Sequence, residues 1–270
     1  MLAHARHNLG FLLAMARVGF AMYLAYPAGV LMVFASYPIV ILMYRFVFGA
    51  VYESRADIAG YDLGAILTYV TISWILNTFY MTPTGRHLGA RVRDGQVAMD
   101  LIKPINLQGI YLGMSLGRTA FRLVFATIPL ALVFLLAGGV RAPSPALLPQ
   151  FLLAILLGYL MNFQLDYMIG LVAFFLEYNN GIRWGIRLVM NIAGGMVIPL
   201  SYFPESLARI FGYLPTQYMF FQPLQLYLGK VTPQQGWVLV AQGLAWVCVL
   251  FTLAQLMQRS GARRLSISGG

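Results

Sequence analysis

Residues 147–176 read LLPQFLLAILLGYLMNFQLDYMIGLVAFFL, with a single charge, at Asp166. The hydrocarbon core of a bilayer is about 30 Å thick and needs about 20 apolar helical residues to cross it. A helix apolar on every face has no side to offer water. This stretch therefore decides the fold class: it reads as one transmembrane helix of an all-α, polytopic membrane protein.

The composition agrees. Of 270 residues, 60% are hydrophobic and 10% are charged. Soluble domains carry about 25% charged and about 45–50% apolar residues. Such a chain cannot cover a soluble surface, and it is too poor in charge for a disordered one.

Five further runs have spanning character: 28–48, 65–84, 119–137, 186–202 and 237–257. With 147–176 as the fourth in order, six spans are expected in a single transmembrane domain covering 1–270. Residues 1–26 are apolar from Leu9 onward but carry Arg6 and Arg17, and Pro27 follows. Ala14-Met15-Ala16 resembles a signal-cleavage site, but the apolar stretch before it is short and a span follows at once. The segment 1–26 reads as an interfacial helix on the inner surface, feeding the first span.

Charge orients the spans. With both termini cytoplasmic, the inner segments hold eleven basic residues: Arg6, Arg17, Arg86, Arg91, Arg93, Lys103, Arg183, Arg187, Arg259, Arg263 and Arg264. The outer loops hold four, namely Arg55, Arg141, Arg209 and Lys230, beside Glu53, Asp57 and Asp62. This bias follows the positive-inside rule, so the net charge of +10 points to membrane topology and not to nucleic acid. The plasma (inner) membrane is the expected location. The single cysteine, Cys248, lies in an apolar run and reads as a buried, inert thiol.

Chemistry is sparse. No GxxxxGK[ST] loop, HExxH motif or Cys/His cluster occurs, and the histidines are His4, His7 and His87. The chain thus reads as neither ATPase nor metalloprotease, with no metal and no cofactor of its own.

Four features carry physical content. In the cytoplasmic loop 86–109, charges lead into Gly95, a short helical stretch follows, and Pro104 stops it. Val97, Leu101 and Ile105 share one face of that stretch, whereas Asp100 and Lys103 lie on others. It is either a docking element for a soluble partner or a solvated loop. Downstream, Gly194, Gly195 and Pro199 break the fifth run, and Pro204, Pro215, Pro223 and Pro233 follow. Residues 203–234 read as a pair of short re-entrant or surface helices on the outer side, covered by protein at membrane depth.

The third feature is a hydroxyl stripe on span two. Thr68, Thr71, Thr78 and Thr82 share a helical face, with Ser73 and Asn77 nearby. Polar groups in lipid face other helices. Thr71, Asn77, Thr78 and Thr82, with Asn191, Gly194 and Gly195 of span five, are therefore candidates for a substrate path. Alternatively, each threonine bonds its own helix carbonyl. The fourth feature is Asp166, about 29 Å from the outer end of its span at 1.5 Å per residue. At that depth, near the inner interface, a structural ion pair with Arg118 or Arg122 of span three is expected.

These residues resemble a known family. Arg93-Asp94-Gly95-Gln96-Val97-Ala98-Met99-Asp100-Leu101-Ile102-Lys103-Pro104-Ile105-Asn106 resembles the R-x-G-x-(I/L)-x-x-x-L-(L/I)-(R/K)-P-x-(N/S) loop of the ABC type-2 (ATP-binding cassette) transporter permeases. The run Gly195 to Leu200 with Phe203-Pro204 resembles that family's G-x-x-(I/V)-P-L…F-P run after span five. Leu214-Pro215 and Phe221-Gln222-Pro223 also fit. The ending from Gly261-Ala262-Arg263-Arg264 to Gly269-Gly270 resembles the G-x-R-R…G-G tail of a subgroup of short six-span permease subunits.

The resemblance implies half of an ATP-driven exporter. A second permease chain would pair with this one, as a homodimer or a heterodimer, within membrane lipid. Separate ATP-binding subunits would dock beneath and supply ATP and Mg²⁺. The loop after span two would be the coupling helix, with Arg91, Arg93, Asp94, Gly95, Gln96, Asp100, Lys103 and Pro104 facing the ATPase. The cargo would be amphipathic or hydrophobic. A secondary transporter or a non-transporting scaffold is the alternative. The former would show internal repeats and midplane charges, and neither is evident.

Overall fold

The computed structural model describes residues 2–24, 28–102, 106–136, 140–176 and 180–268. Among them the chain is helical with no strands. Five stretches are long and apolar enough to cross a membrane: Phe34–Tyr52, Leu63–Arg93, Leu107–Leu136, Pro145–Phe174 and Pro233–Arg264.

Helix α1 (Leu2–Leu24) leads in, and α2 (Ala28–Tyr52) forms the first spanning stretch. Most of α2 faces outward, with Met32, Ile39, Leu42 and Phe46 exposed. An apolar surface of this kind suits a lipid environment. The second stretch is broken. Asp62 caps α3 (Leu63–Tyr80) by accepting the Ala65 N–H at 2.7 Å, the chain leaves the helix at residues 81–83, and α4 (Thr84–Arg93) resumes. Pro83 sits at the break, where it supplies no backbone donor. A turn leads to α5 (Val97–Leu101).

The third stretch joins α6 (Leu107–Arg122), a π turn (Leu123–Thr127) and α7 (Ile128–Leu136). The Ile128 N–H reaches back five residues to the Leu123 carbonyl. Pro129 follows and has no N–H to restore the ordinary register. The fourth stretch is α8 (Leu148–Leu171), flanked by single 3-10 turns, and it matches the expected 147–176 run. It is the hub, against which α3, α4, α11 and α12 all pack.

The expected fifth span does not continue to residue 202. Helix α9 (Asn180–Ala193) stops at Ala193 after 14 residues, about 21 Å of helix. Gly195 then takes φ +76°, a left-handed conformation that a side chain would strain. Where six spans were expected, the described residues hold five stretches long enough to cross a membrane, with this shorter helix between the fourth and the fifth. Two short helices follow, α10 (Glu205–Gly212) and α11 (Phe221–Tyr227), where a pair was expected. Last comes α12 (Pro233–Ser268), which extends the expected 237–257 run at both ends. Cys248 on it is exposed, not buried as the apolar run suggested.

Two packed regions organise these elements. The larger joins α3, α8, the 196–202 turn and α11, including Tyr69, Tyr80, Tyr159, Phe220 and Leu224. The smaller joins α4, α5, α6, α8 and α12 through Leu88, Val97, Tyr111, Phe163, Tyr167 and Ala254.

Helix α1 runs parallel to α6 along a glycine seam. A Cβ on Gly117 would collide with the Ala16 carbonyl, one on Gly19 with that of Met114, and one on Gly113 would lie 2.7 Å from Met15 Cβ. Small residues allow this backbone approach, and close packing replaces the missing hydrophobic drive between helices in lipid.

Candidate functional site

The loop after the second spanning stretch is built as an anchored projection. Helix α4 ends at Arg93, and Gly95 turns the chain with φ +71°. Arg91 then gathers the turn. Its Nε donates to Asp100 Oδ2 at 2.6 Å, Nη1 to Gln96 Oε1 at 3.1 Å and Nη2 to the Gln96 carbonyl at 3.3 Å. Val97 is fully buried in the smaller packed region.

The outward surface differs from the expected one. Asp100 is 4% exposed and turned inward to Arg91, so it holds the segment and does not face a partner. Arg93, Asp94, Gly95, Gln96, Ala98, Met99 and Ile102 face out. Arg93 and Asp94 bond each other at 3.2 Å. Met99 and Ile102 are 62% and 75% exposed, on the face opposite the one that the Val97, Leu101 and Ile105 pattern marks. Their spacing of three was the available signal. Lys103, Pro104 and Ile105 lie outside the described residues.

Asp166 is fully buried, but its partner is not Arg118 or Arg122. Arg187 of α9 donates Nη2 to Asp166 Oδ1 at 2.7 Å, and the Gly85 N–H donates to Oδ2 at 2.8 Å. Arg187 Nη1 also reaches Asn162 Oδ1 at 3.3 Å. Gly85 and Gly170 allow α4 to press onto α8 here, since a Cβ on either would meet the other helix. Depth along the spans sets Asp166 level with Arg118 and Arg122 but does not decide which way it faces. Arg118 and Arg122 turn instead toward α1: Arg118 Nη2 lies 3.7 Å from Met22 Sδ, and Arg122 donates to the Met81 carbonyl at 2.6 Å and to Tyr23 Oη at 3.1 Å. Arg183 and Arg187, four apart on α9, were the missed signal.

The hydroxyl stripe splits in two. Thr68 and Thr78 bond carbonyls of their own helix, at 2.8 Å to Gly64 and 3.1 Å to Trp74. Thr71 is buried, and Thr82 is buried with its hydroxyl unpartnered among the described residues. Asn77 is half-buried and donates to Tyr37 Oη at 3.3 Å. The bridges to the other candidate segment come from neighbouring positions: Tyr69 Oη donates to the Gly195 carbonyl at 2.5 Å, and Ser73 Oγ to that of Met196 at 2.8 Å. Gly194 is buried and its carbonyl receives the Phe221 N–H at 3.0 Å. Asn191 is half-buried, and its carbonyl accepts the Met196 N–H at 2.9 Å. The structure therefore brings α3 and Gly195 together as a closed, hydrogen-bonded seam.

A glutamine chain crosses the same end of the molecule as α5. Gln255 donates to Gln108 at 2.5 Å and Gln108 to Gln164, joining α12, α6 and α8. Tyr167 adds a bond to Gln258 at 2.8 Å. Among the described residues, no group of three or more His, Cys, Asp or Glu side chains gathers to hold a metal.

No curated protein matches the chain. The family model described as ABC-2 family transporter protein matches residues 30–269, from the first spanning helix to the tail. The chain belongs to the ABC-2 family of membrane transporter proteins.

Proposed function

We propose that this chain is the permease subunit of an ATP-driven exporter, moving an amphipathic or hydrophobic substrate while separate subunits bind ATP and Mg²⁺. The observation that carries the reading is α5. It projects Met99 and Ile102 outward while Val97 and the Arg91–Asp100 pair tie it to the smaller packed region. Exposed apolar side chains on a rigid support suit a protein-docking surface. Force on α5 would pass through Val97 to the ends of α4, α6, α8 and α12. A two-state rearrangement of these helices would open the path.

The remaining parts follow from that reading. The chain is multi-pass in the plasma membrane, with α1 packed along α6 at its inner end and both termini cytoplasmic. An even number of crossings is then needed, and α9 with the buried 194–200 turn supplies the sixth. Helices α10 and α11 form the re-entrant pair on the outer side. A second permease chain covers part of the exposed apolar surface. The coupling face comprises Arg93, Asp94, Gly95 and Gln96, joined by Met99 and Ile102, and by Lys103 and Pro104 on the reading of the sequence alone. Thr71, Asn77, Thr78 and Thr82 of α3, with Asn191, Gly194 and Gly195, flank the path, which opens when the α3–Gly195 seam parts.

The test is co-purification from membranes. An ATP-binding subunit should accompany the wild-type chain, and its ATPase activity should rise when the two are joined. Met99→Asp with Ile102→Asp should abolish capture without lowering the yield of folded chain. Full capture by that variant would sink the docking role of α5.

A further inference from the structure

Two cavities share a wall. The first, about 250 Å³, opens among the connectors at the helix ends and is lined by Asp57, Asp62, Arg141, Ser144, Tyr227 and Lys230 among others. The second, about 470 Å³, runs along the bodies of α3, α7 and α8. Ile75, Phe79, Ala131, Phe134 and Ile155 contribute to its lining, and among the described residues the hydroxyls of Thr127 and Tyr227 are its only side-chain polar groups. Tyr227 lines both cavities.

The segment 140–144 divides them residue by residue. Val140 and Pro143 line the apolar cavity, while Arg141, Ala142 and Ser144 line the polar one. The divider is fixed to α11: Tyr227 Oη donates to the Arg141 carbonyl at 2.9 Å, and the Ser144 N–H donates to the Tyr227 carbonyl at 3.0 Å. Leu123 and Thr127, at the two ends of the π turn, also face the apolar cavity.

The arrangement has the polarity of a single amphiphile. The apolar cavity is lined from three of the spanning stretches, so an acyl chain is its natural occupant in a bilayer. The polar cavity lies at the ends of those stretches, at headgroup level. Its four ionisable groups carry both signs, two acidic and two basic. Arg141 Nη2 meets Asp62 Oδ2 at 2.7 Å, with both side chains about half exposed. An exposed pair of this kind is worth only about 0–1 kcal/mol. A headgroup bearing both charges could exchange partners with it at little cost.

We propose that the two cavities form one site for a zwitterionic phospholipid of the adjoining leaflet. Its phosphate faces Arg141 and Lys230, its ammonium faces Asp57 and Asp62, and one acyl chain lies in the apolar cavity beside Ala131. The site does not depend on the exporter reading, because lipid retention is measured without transport.

The experiment reconstitutes the full chain in vesicles of equal phosphatidylethanolamine and phosphatidylglycerol, re-extracts it in mild detergent, and counts retained lipid by mass spectrometry. The zwitterionic lipid should be retained several-fold over the anionic one. Ala131→Trp should lower retention of both several-fold, and Asp57→Asn with Asp62→Asn should shift the preference toward the anionic lipid. Equal retention of the two lipids by the wild-type chain would overturn the proposal, and this reading needs no variant to fold. Unchanged retention by a folded Ala131→Trp chain would do the same. So would disulfide crosslinking of two copies through Ala131→Cys in a Cys248→Ser background, since a second copy would then cover the cavity.

Discussion

Arg91 and Asp100 are nine residues apart in the chain and 2.6 Å apart in space, and that pair folds the α5 segment back onto α4. Asp100→Asn keeps the shape of the side chain but removes the charge. A hydrogen bond to a charged group is worth about 1.5–3 kcal/mol, and the segment should loosen accordingly. Gly95→Ala strains the turn by about 1 kcal/mol, because a Cβ there meets open space but the left-handed backbone disfavours it. Both variants should insert in the membrane and bind the ATPase, yet transport less per ATP hydrolysed. Paired measurement of hydrolysis and export in proteoliposomes checks this; normal export by both variants removes the coupling role.

The Asp166–Arg187 pair gives a stability prediction. Arg187→Met leaves a fully buried carboxylate facing only the Gly85 N–H among the groups that bond it. Breaking a buried pair in this way costs about 3–5 kcal/mol. Adding Asp166→Asn should restore most of the loss, since the amide oxygen still accepts from Gly85. Thermal melting of the three variants in one detergent tests it. A double variant no better than Arg187→Met alone would show that the pair is not the cause.

The glycine seam predicts a sharp positional contrast. Gly117→Val forces a side chain into the Ala16 backbone and should separate α1 from α6. Gly185→Ala, on the exposed face of α9, meets nothing within 4 Å. It should be neutral or stabilising by about 0.4–1 kcal/mol, as the unfolded chain loses freedom. Limited proteolysis near residue 24 reads the first, and melting temperature the second.

Lys230 sets a pH dependence. Burial pushes its amine down from 10.5 to about 8, although Asp57 and Asp62 pull the other way. Between those values the folded chain holds fewer protons than the unfolded one. Stability should therefore rise as pH climbs from 8 toward 10.5. Lys230→Gln should flatten that rise. Acylation of Lys230, followed by peptide mass spectrometry, should show a midpoint near 8; a midpoint near 10.5 would contradict the geometry.

Apolar length and order were legible because a bilayer demands them of any spanning helix. Residues 28–48, 148–171 and 237–257 appear as helix, and the Gly95 turn and the short helix after it stand where the residues placed them. Rotation about the helix axis was not legible. Depth brought Asp166 level with Arg118 and Arg122, but only packing decides that Asp166 faces α4 and α9 while those arginines face α1. The same gap hid the inward turn of Asp100, since its burial depends on Arg91 reaching it. Span five was overextended because apolar content continues past Ala193, whereas the backbone stops at the turn before Gly195.

The seam between α1 and α6 has a mechanical consequence. At Gly19 and Gly117 backbone lies on backbone, which leaves little room to absorb a displacement, so α1 acts as a splint on the first half of that spanning stretch. The splint ends where Tyr23 meets Arg122 and Phe121. The π turn begins at the next residue, Leu123. Flexing of this stretch is thereby concentrated at a single hinge, whose outer wall is the apolar cavity.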